Sequence, residues 1–162
     1  MDHLWSPWRM QYIATAREEL EEDGGCVFCA VPAREPERVL ARSDLAYVVL
    51  NKFPYNPGHM LIVPMRHTGD VEDLTPDENA ELQVLLQRSI RALREESEPH
   101  GFNVGMNLGS TSGAGIPDHL HWHLVPRWNG DTNFMPVVGE VRVLPELLAD
   151  TARRLGPRFA DA

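Results

Sequence analysis

His119-Leu120-His121-Trp122-His123-Leu124-Val125 sets three imidazoles in alternation with large apolar side chains. A strand sends successive side chains to opposite faces, so the alternation predicts a β-strand with the histidines in one row and Leu120, Trp122 and Leu124 on the other side. Adjacent members of such a row lie about 6 to 7 Å apart at the backbone, close enough for two rings to reach one phosphate. Three readings compete for it: histidines hydrogen-bonded inside a core, a metal-binding row, and nucleophilic catalysis at phosphorus. Three adjacent rings are a costly way to fill space, and no obvious water-activating carboxylate stands beside them, because Asp118 on the same strand would face the other way. Neutral imidazole is nucleophilic near pH 7 and a phosphorylated ring nitrogen is a labile leaving group, which favours the third reading.

Upstream of the row, a glycine-rich loop from Leu108 to Pro117 follows the alternating run Phe102 to Asn107, and strand, loop, strand predicts an antiparallel pair. Within the loop, Gly113 and Gly115 let backbone N–H groups and hydroxyls close around a phosphate, an electrically neutral way to bind an anion. Met60 to Pro64 is a short apolar run bounded by turn residues, as expected of a strand buried on both faces. Arg38 to Ala41 and Leu45 to Leu50, separated by Ser43-Asp44, predict a hairpin. Thr75-Pro76-Asp77-Glu78 opens a helix, with Thr75 as cap, Pro76 at the first position and Glu78 completing a capping box. Leu82, Leu85, Leu86, Ser89, Ile90 and Leu93 then form one stripe, which Pro99 and Gly101 end. A shorter amphipathic helix follows Pro145. The sum is one α+β domain over residues 1–162, an antiparallel sheet of about five strands with a long helix packed on it.

A chain of 162 residues suits a single core. Its 15 Lys and Arg against 24 Asp and Glu give a charge of −9, which argues against a surface that neutralises a nucleic-acid backbone. No basic start with an apolar stretch marks the N-terminus and no apolar run approaches a membrane span, so a cytoplasmic protein, neither exported nor membrane-embedded, is expected. The two cysteines, Cys26 and Cys29, would close a trivially short loop if bridged, which favours a reducing compartment. Cys-Val-Phe-Cys is shared by zinc sites and redox dithiols. A thioredoxin-like pair should open a helix after a strand, whereas this one follows an acidic Gly-Gly turn and precedes Pro32.

The histidine row, ending in two apolar positions, resembles the motif of the histidine triad (HIT) family. Asn51 eight residues before His59 in Asn56-Pro57-Gly58-His59, then Met60 to Pro64, Asn107, the glycine-rich loop and Pro126-Arg127 fall in the family's order over about residues 26 to 128. Leu4-Trp5-Ser6-Pro7-Trp8-Arg9 and the segment from Trp128 to Pro145 resemble the bacterial and archaeal branch that includes diadenosine tetraphosphate phosphorylases and related hydrolases. The resemblance implies a homodimer that cleaves a dinucleoside polyphosphate, with His121 attacking the α-phosphorus while its other nitrogen is held by the main-chain carbonyl of His119. It implies that His123 binds the phosphate and assists the leaving group, that Asn51 contacts ribose hydroxyls and Asn107 phosphate, and that His59 supports the triad from the neighbouring strand. Some relatives complete a structural zinc site by adding two histidines to such a cysteine pair, which here implies Cys26, Cys29, His67 and His119 as ligands. Ala114, Gly115 and Ile116 stand where many relatives carry glutamine or serine, so the acceptor, water or phosphate, stays open. Adenosine phosphoramidate hydrolysis, as in the smaller triad branch, and nucleotide binding with little turnover are the alternatives. His3 and His100 receive no role.

Overall fold

The computed structural model describes residues 25–131 and 145–160. The segments from Leu4 to Arg9 and from Arg17 to Gly24, His3, and most of the stretch from Trp128 to Pro145 lie outside the described residues. Five strands, β1 (Val39–Arg42), β2 (Ala46–Leu50), β3 (Met60–Pro64), β4 (Gly101–Gly105) and β5 (Trp122–Arg127), form one sheet. Its order is β1-β2-β3-β5-β4, and every neighbouring pair is antiparallel. β3 is central and buried from end to end, as its unbroken apolar run requires.

The helix α2 (Pro76–Ser97) starts on the expected capping box, with both Thr75 and Glu78 hydrogen bonds present, and ends at Glu98 in the left-handed conformation (φ 44°) before Pro99. Leu82, Leu86 and Leu93 of its stripe pack on Val48, Leu50, Met60, Ile62 and Leu124 of the sheet. A short C-terminal helix, α3 (Leu148–Leu155), adds Leu155 to the same core. The opposite face carries Tyr47, Val49, Leu61 and Val63 under Phe28 and Val31 of an N-terminal helix, α1 (Val27–Arg34). Leu61 pairs with His123 across β3 and β5, so His123 belongs to this second face, away from α2.

Three local expectations are corrected. The triad strand begins at Trp122 rather than His119, because its ladders reach only Ile62↔Trp122 on one side and Gly105↔His123 on the other. His119 and His121 ride instead on a lead-in held by the Leu120 N–H to the Thr68 carbonyl at 2.7 Å. Likewise β4 stops at Gly105, leaving Asn107 at the start of the loop. The cysteine pair does open a helix, with Cys26 at the N-cap of α1 and Pro32 inside it. Proline cannot donate to the carbonyl four residues back, and that carbonyl, Phe28 O, accepts the Tyr47 hydroxyl at 2.7 Å instead.

Candidate active site and metal centre

His121 and His59 are each oriented by a main-chain group that can only accept or only donate, and these partners assign the tautomers, that of His123 following from His59. His121 Nδ1 lies 2.9 Å from the His119 carbonyl, so Nδ1 carries the proton and Nε2 the lone pair. The Tyr55 N–H donates to His59 Nδ1 at 3.1 Å. The proton of His59 therefore sits on Nε2, which is 3.0 Å from His123 Nδ1. His123 in turn carries its proton on Nε2. The rings of His121 and His123 are 5.0 Å apart between centroids, with opposite character at Nε2: one a lone pair, the other a donor.

The loop between β2 and β3 brings Asn51 to the same place. Its Oδ1 accepts the Phe53 N–H at 3.1 Å, and its Nδ2 lies 3.3 Å from His59 Nδ1. The Tyr55 ring stacks on His59, 5.0 Å between centroids and 19° between planes, and reaches His123 at 6.3 Å. Phe28 walls the His121 side, its ring 4.7 Å from that of His121. Neither aromatic follows from the motif; Tyr55 could be found only by knowing that the 51–59 loop folds back on His59. Gly105 pairs with His123, so the glycine-rich loop leaves the sheet beside the triad. Asn107 and Gly115 are half-buried on it, while Gly113 is exposed with φ 86°, a conformation that favours glycine.

His119 turns away from the other two rings. Its Nε2–H donates to the Pro64 carbonyl at 2.9 Å, which leaves the Nδ1 lone pair facing Cys26 Sγ at 3.3 Å, Cys29 Sγ at 3.5 Å and His67 Nδ1 at 3.3 Å. The four ligand atoms all lie within 4.8 Å of one another. A tetrahedral zinc with bonds of about 2.3 Å to sulfur and 2.0–2.1 Å to nitrogen has N···N edges of about 3.3 Å and S···N edges of about 3.6 Å, so the set has the size of such a site. Burial keeps His119 below the ordinary histidine range, neutral as a ligand must be. Burial, with Cys26 alongside, pushes the Cys29 thiol up to about 11, so a bound cation has protons to displace. Four protein ligands leave no open position, and the chemistry suited to this centre is structural.

His100, unassigned in sequence, accepts the Asn129 N–H on Nδ1 at 2.8 Å and donates its own N–H to the Arg127 carbonyl, fixing the turn after β5.

A family model described as the HIT domain matches residues 33–130. A Mycobacterium tuberculosis protein named AP-4-A phosphorylase is 44% identical over 166 residues, spanning 99% of this chain and 85% of the relative. A Saccharomyces cerevisiae bis(5'-adenosyl)-triphosphatase is 36% identical over 93 residues, 57% of this chain and 45% of that protein. Among solved structures, a zinc-bound histidine triad family protein from Mycobacterium smegmatis superposes with a TM-score of 0.68 at 32% identity, over 84% of this chain and 94% of that one.

Proposed function

The chain belongs to the HIT domain family, and on that premise we propose that it cleaves dinucleoside polyphosphates by nucleotidyl transfer through His121. The observation that carries the reading is the pairing of tautomers: a lone pair on His121 Nε2 beside a proton on His123 Nε2. A nucleophile beside a hydrogen-bond donor that stabilises charge building on the departing phosphate suits displacement at phosphorus. His121 Nε2 attacks the α-phosphorus, the bond to the bridging oxygen breaks, and the nucleoside polyphosphate departs as an anion that accepts a hydrogen bond from His123 Nε2–H. The new N–P bond is then cleaved by the acceptor. His59 holds His123, Asn51 meets the ribose hydroxyls, and Asn107 with the amides around Gly113 and Gly115 receives the phosphates. We take inorganic phosphate as the acceptor, supported by the 44% identity to a protein named for phosphorolysis.

Zinc is the metal proposed for Cys26, Cys29, His67 and His119, supported by the fit of the four ligand atoms and by the zinc-bound relative. It would join α1 to the lead-in of β5. The chain is read as one HIT domain over residues 1–162 that acts as a cytoplasmic homodimer. Dimerisation is supported by β4, an edge strand on which Asn103 and Val104 are exposed. Among the described residues no helix is long and apolar enough to cross a membrane.

Incubation with diadenosine tetraphosphate tests the reading. The parent protein is expected to yield ATP and ADP only when phosphate is present, and His121→Ala to lose that turnover with the fold intact. AMP and ATP formed equally without phosphate would make water the acceptor. Parental turnover by His121→Ala would refute the nucleophile.

A further inference from the structure

Asn56 and Asp131 lie outside the triad, the ribose and phosphate contacts and the metal set, yet they join the two segments that present His59 and His123. Asn56 is 5% exposed, and its Nδ2 donates to the Pro126 carbonyl at 2.9 Å and to Asp131 Oδ2 at 2.8 Å. Asp131 also accepts from Arg127 through Nε at 2.6 Å and Nη2 at 2.8 Å, and from the Trp128 N–H at 3.3 Å. Arg127 extends the connection to β4 through the Asn103 side chain at 2.7 Å. Two further hydrogen bonds anchor the Asp131 turn, Asn129 N–H to His100 and Trp128 Nε1 to the Ser97 carbonyl.

The consequence lies in what Asn56 controls. The β3–β5 ladder ends at Met60↔Leu124, and the chain before Met60 bends away through a turn closed by the His59 N–H to the Asn56 carbonyl at 3.0 Å. Beyond that point the Asn56 amide takes over from the ladder, binding the β5 carbonyl at Pro126. Tyr55, whose N–H selects the His59 tautomer, is the residue next to Asn56. A shift at Asn56 therefore moves the donor that keeps the His59 proton directed at His123.

We propose that Asp131 is a positioning residue that, through Asn56, holds the 51–59 loop so that His59 and His123 keep single tautomers with the His123 proton directed to the leaving group. The inference rests on the reading of His123 as the hydrogen-bond donor to the leaving group. A carboxylate suits the role because charge-assisted bonds from Asn56, Arg127 and a backbone amide converge on one group with little freedom.

Nitrogen-15 NMR of the histidine-labelled full chain reads the tautomers without substrate. Asp131→Ala and Asn56→Ala are each expected to mix the tautomers of His59 and His123 while the Nδ1–H signal of His121 persists. With diadenosine tetraphosphate, kcat is expected to fall about 10- to 100-fold, the scale set by small misplacements of reacting groups, with KM nearly unchanged. The double variant should be no worse than either single one, because both act on one connection. Should Asp131→Ala not fold, Asn56→Ala decides alone. Unchanged tautomers, or equal disturbance of His121, would overturn the proposal. Mixed tautomers with unchanged kcat would uphold the positioning and overturn the reading of His123 as donor.

Discussion

His119 serves two sites with different atoms: its ring belongs to the cysteine cluster and its carbonyl fixes the proton of His121. The proposed metal set and the proposed nucleophile are thereby joined within one residue. Cys29→Ser is expected to lower bound zinc well below one per chain by elemental analysis and to slow turnover, although neither cysteine touches the reacting atoms. Tyr47 and Phe28 make a comparable pair. Because Pro32 cannot donate to the Phe28 carbonyl, the buried Tyr47 hydroxyl is its partner in the structure. Tyr47→Phe leaves that carbonyl without this bond and is expected to cost about 1–2 kcal/mol in urea unfolding. The alternation of the triad was legible in sequence. The tautomers were not, since they are set by carbonyls and amides whose positions only the folded chain defines.

At the scale of elements, α2 is specified locally and fixed to its surroundings by charge. Arg66, just beyond β3, binds both oxygens of Glu78 at 2.8 Å, and Glu78 also accepts the Thr75 N–H. The Arg66 guanidinium, helped by the cap, holds the Glu78 carboxyl at about 2, well below its ordinary 4.5. A carboxyl whose folded pKa is depressed contributes stability that is full above its unfolded value and is lost as pH falls through the folded one. Thermal stability should accordingly drop between pH 4.5 and about 2, and Glu78→Gln should flatten that part of the profile. Thr75→Ala removes the other half of the box and is expected to cost about 1 kcal/mol. A second junction is steric. A Cβ on Gly69 would lie 2.9 Å from the Pro117 carbonyl oxygen, so the segment after His67 and the lead-in to His119 pack backbone on backbone. Helix, hairpin and central strand were legible because caps, turns and apolar periods are short-range signals. The start of the triad strand was not, because it depends on where neighbouring strands stop.

For the molecule as a whole, the proposed zinc centre is the junction of three distant parts of the sequence: α1, the segment after β3 and the lead-in to β5. Prolonged chelation is expected to lower Tm and release about one zinc per chain, with activity falling alongside the loss of order around His121. The exposed edge of β4 belongs to the same scale. Sedimentation is expected to give twice the 18.3 kDa chain mass, and a charge at the exposed Val104, as in Val104→Arg, should shift the protein toward monomer.

By itself the sequence determined the hairpin, the central strand, the long capped helix and the alternation of the histidines, because periodicity, capping and turn chemistry act over a few residues. The resemblance it carries named four candidate metal ligands, whose ligand atoms the structure brings within 4.8 Å of one another. Tertiary structure decided which nitrogen of His59 and His121 holds a proton, that Tyr55 and Phe28 pack beside His123 and His121, and that Asn56 is hydrogen-bonded across to Asp131 in the chain after β5. Those contacts join α1, the loop between β2 and β3 and the chain around β5, which meet because β3 and β5 are neighbours in the order β1-β2-β3-β5-β4. Strand order and register place them, and no local pattern of side chains encodes either.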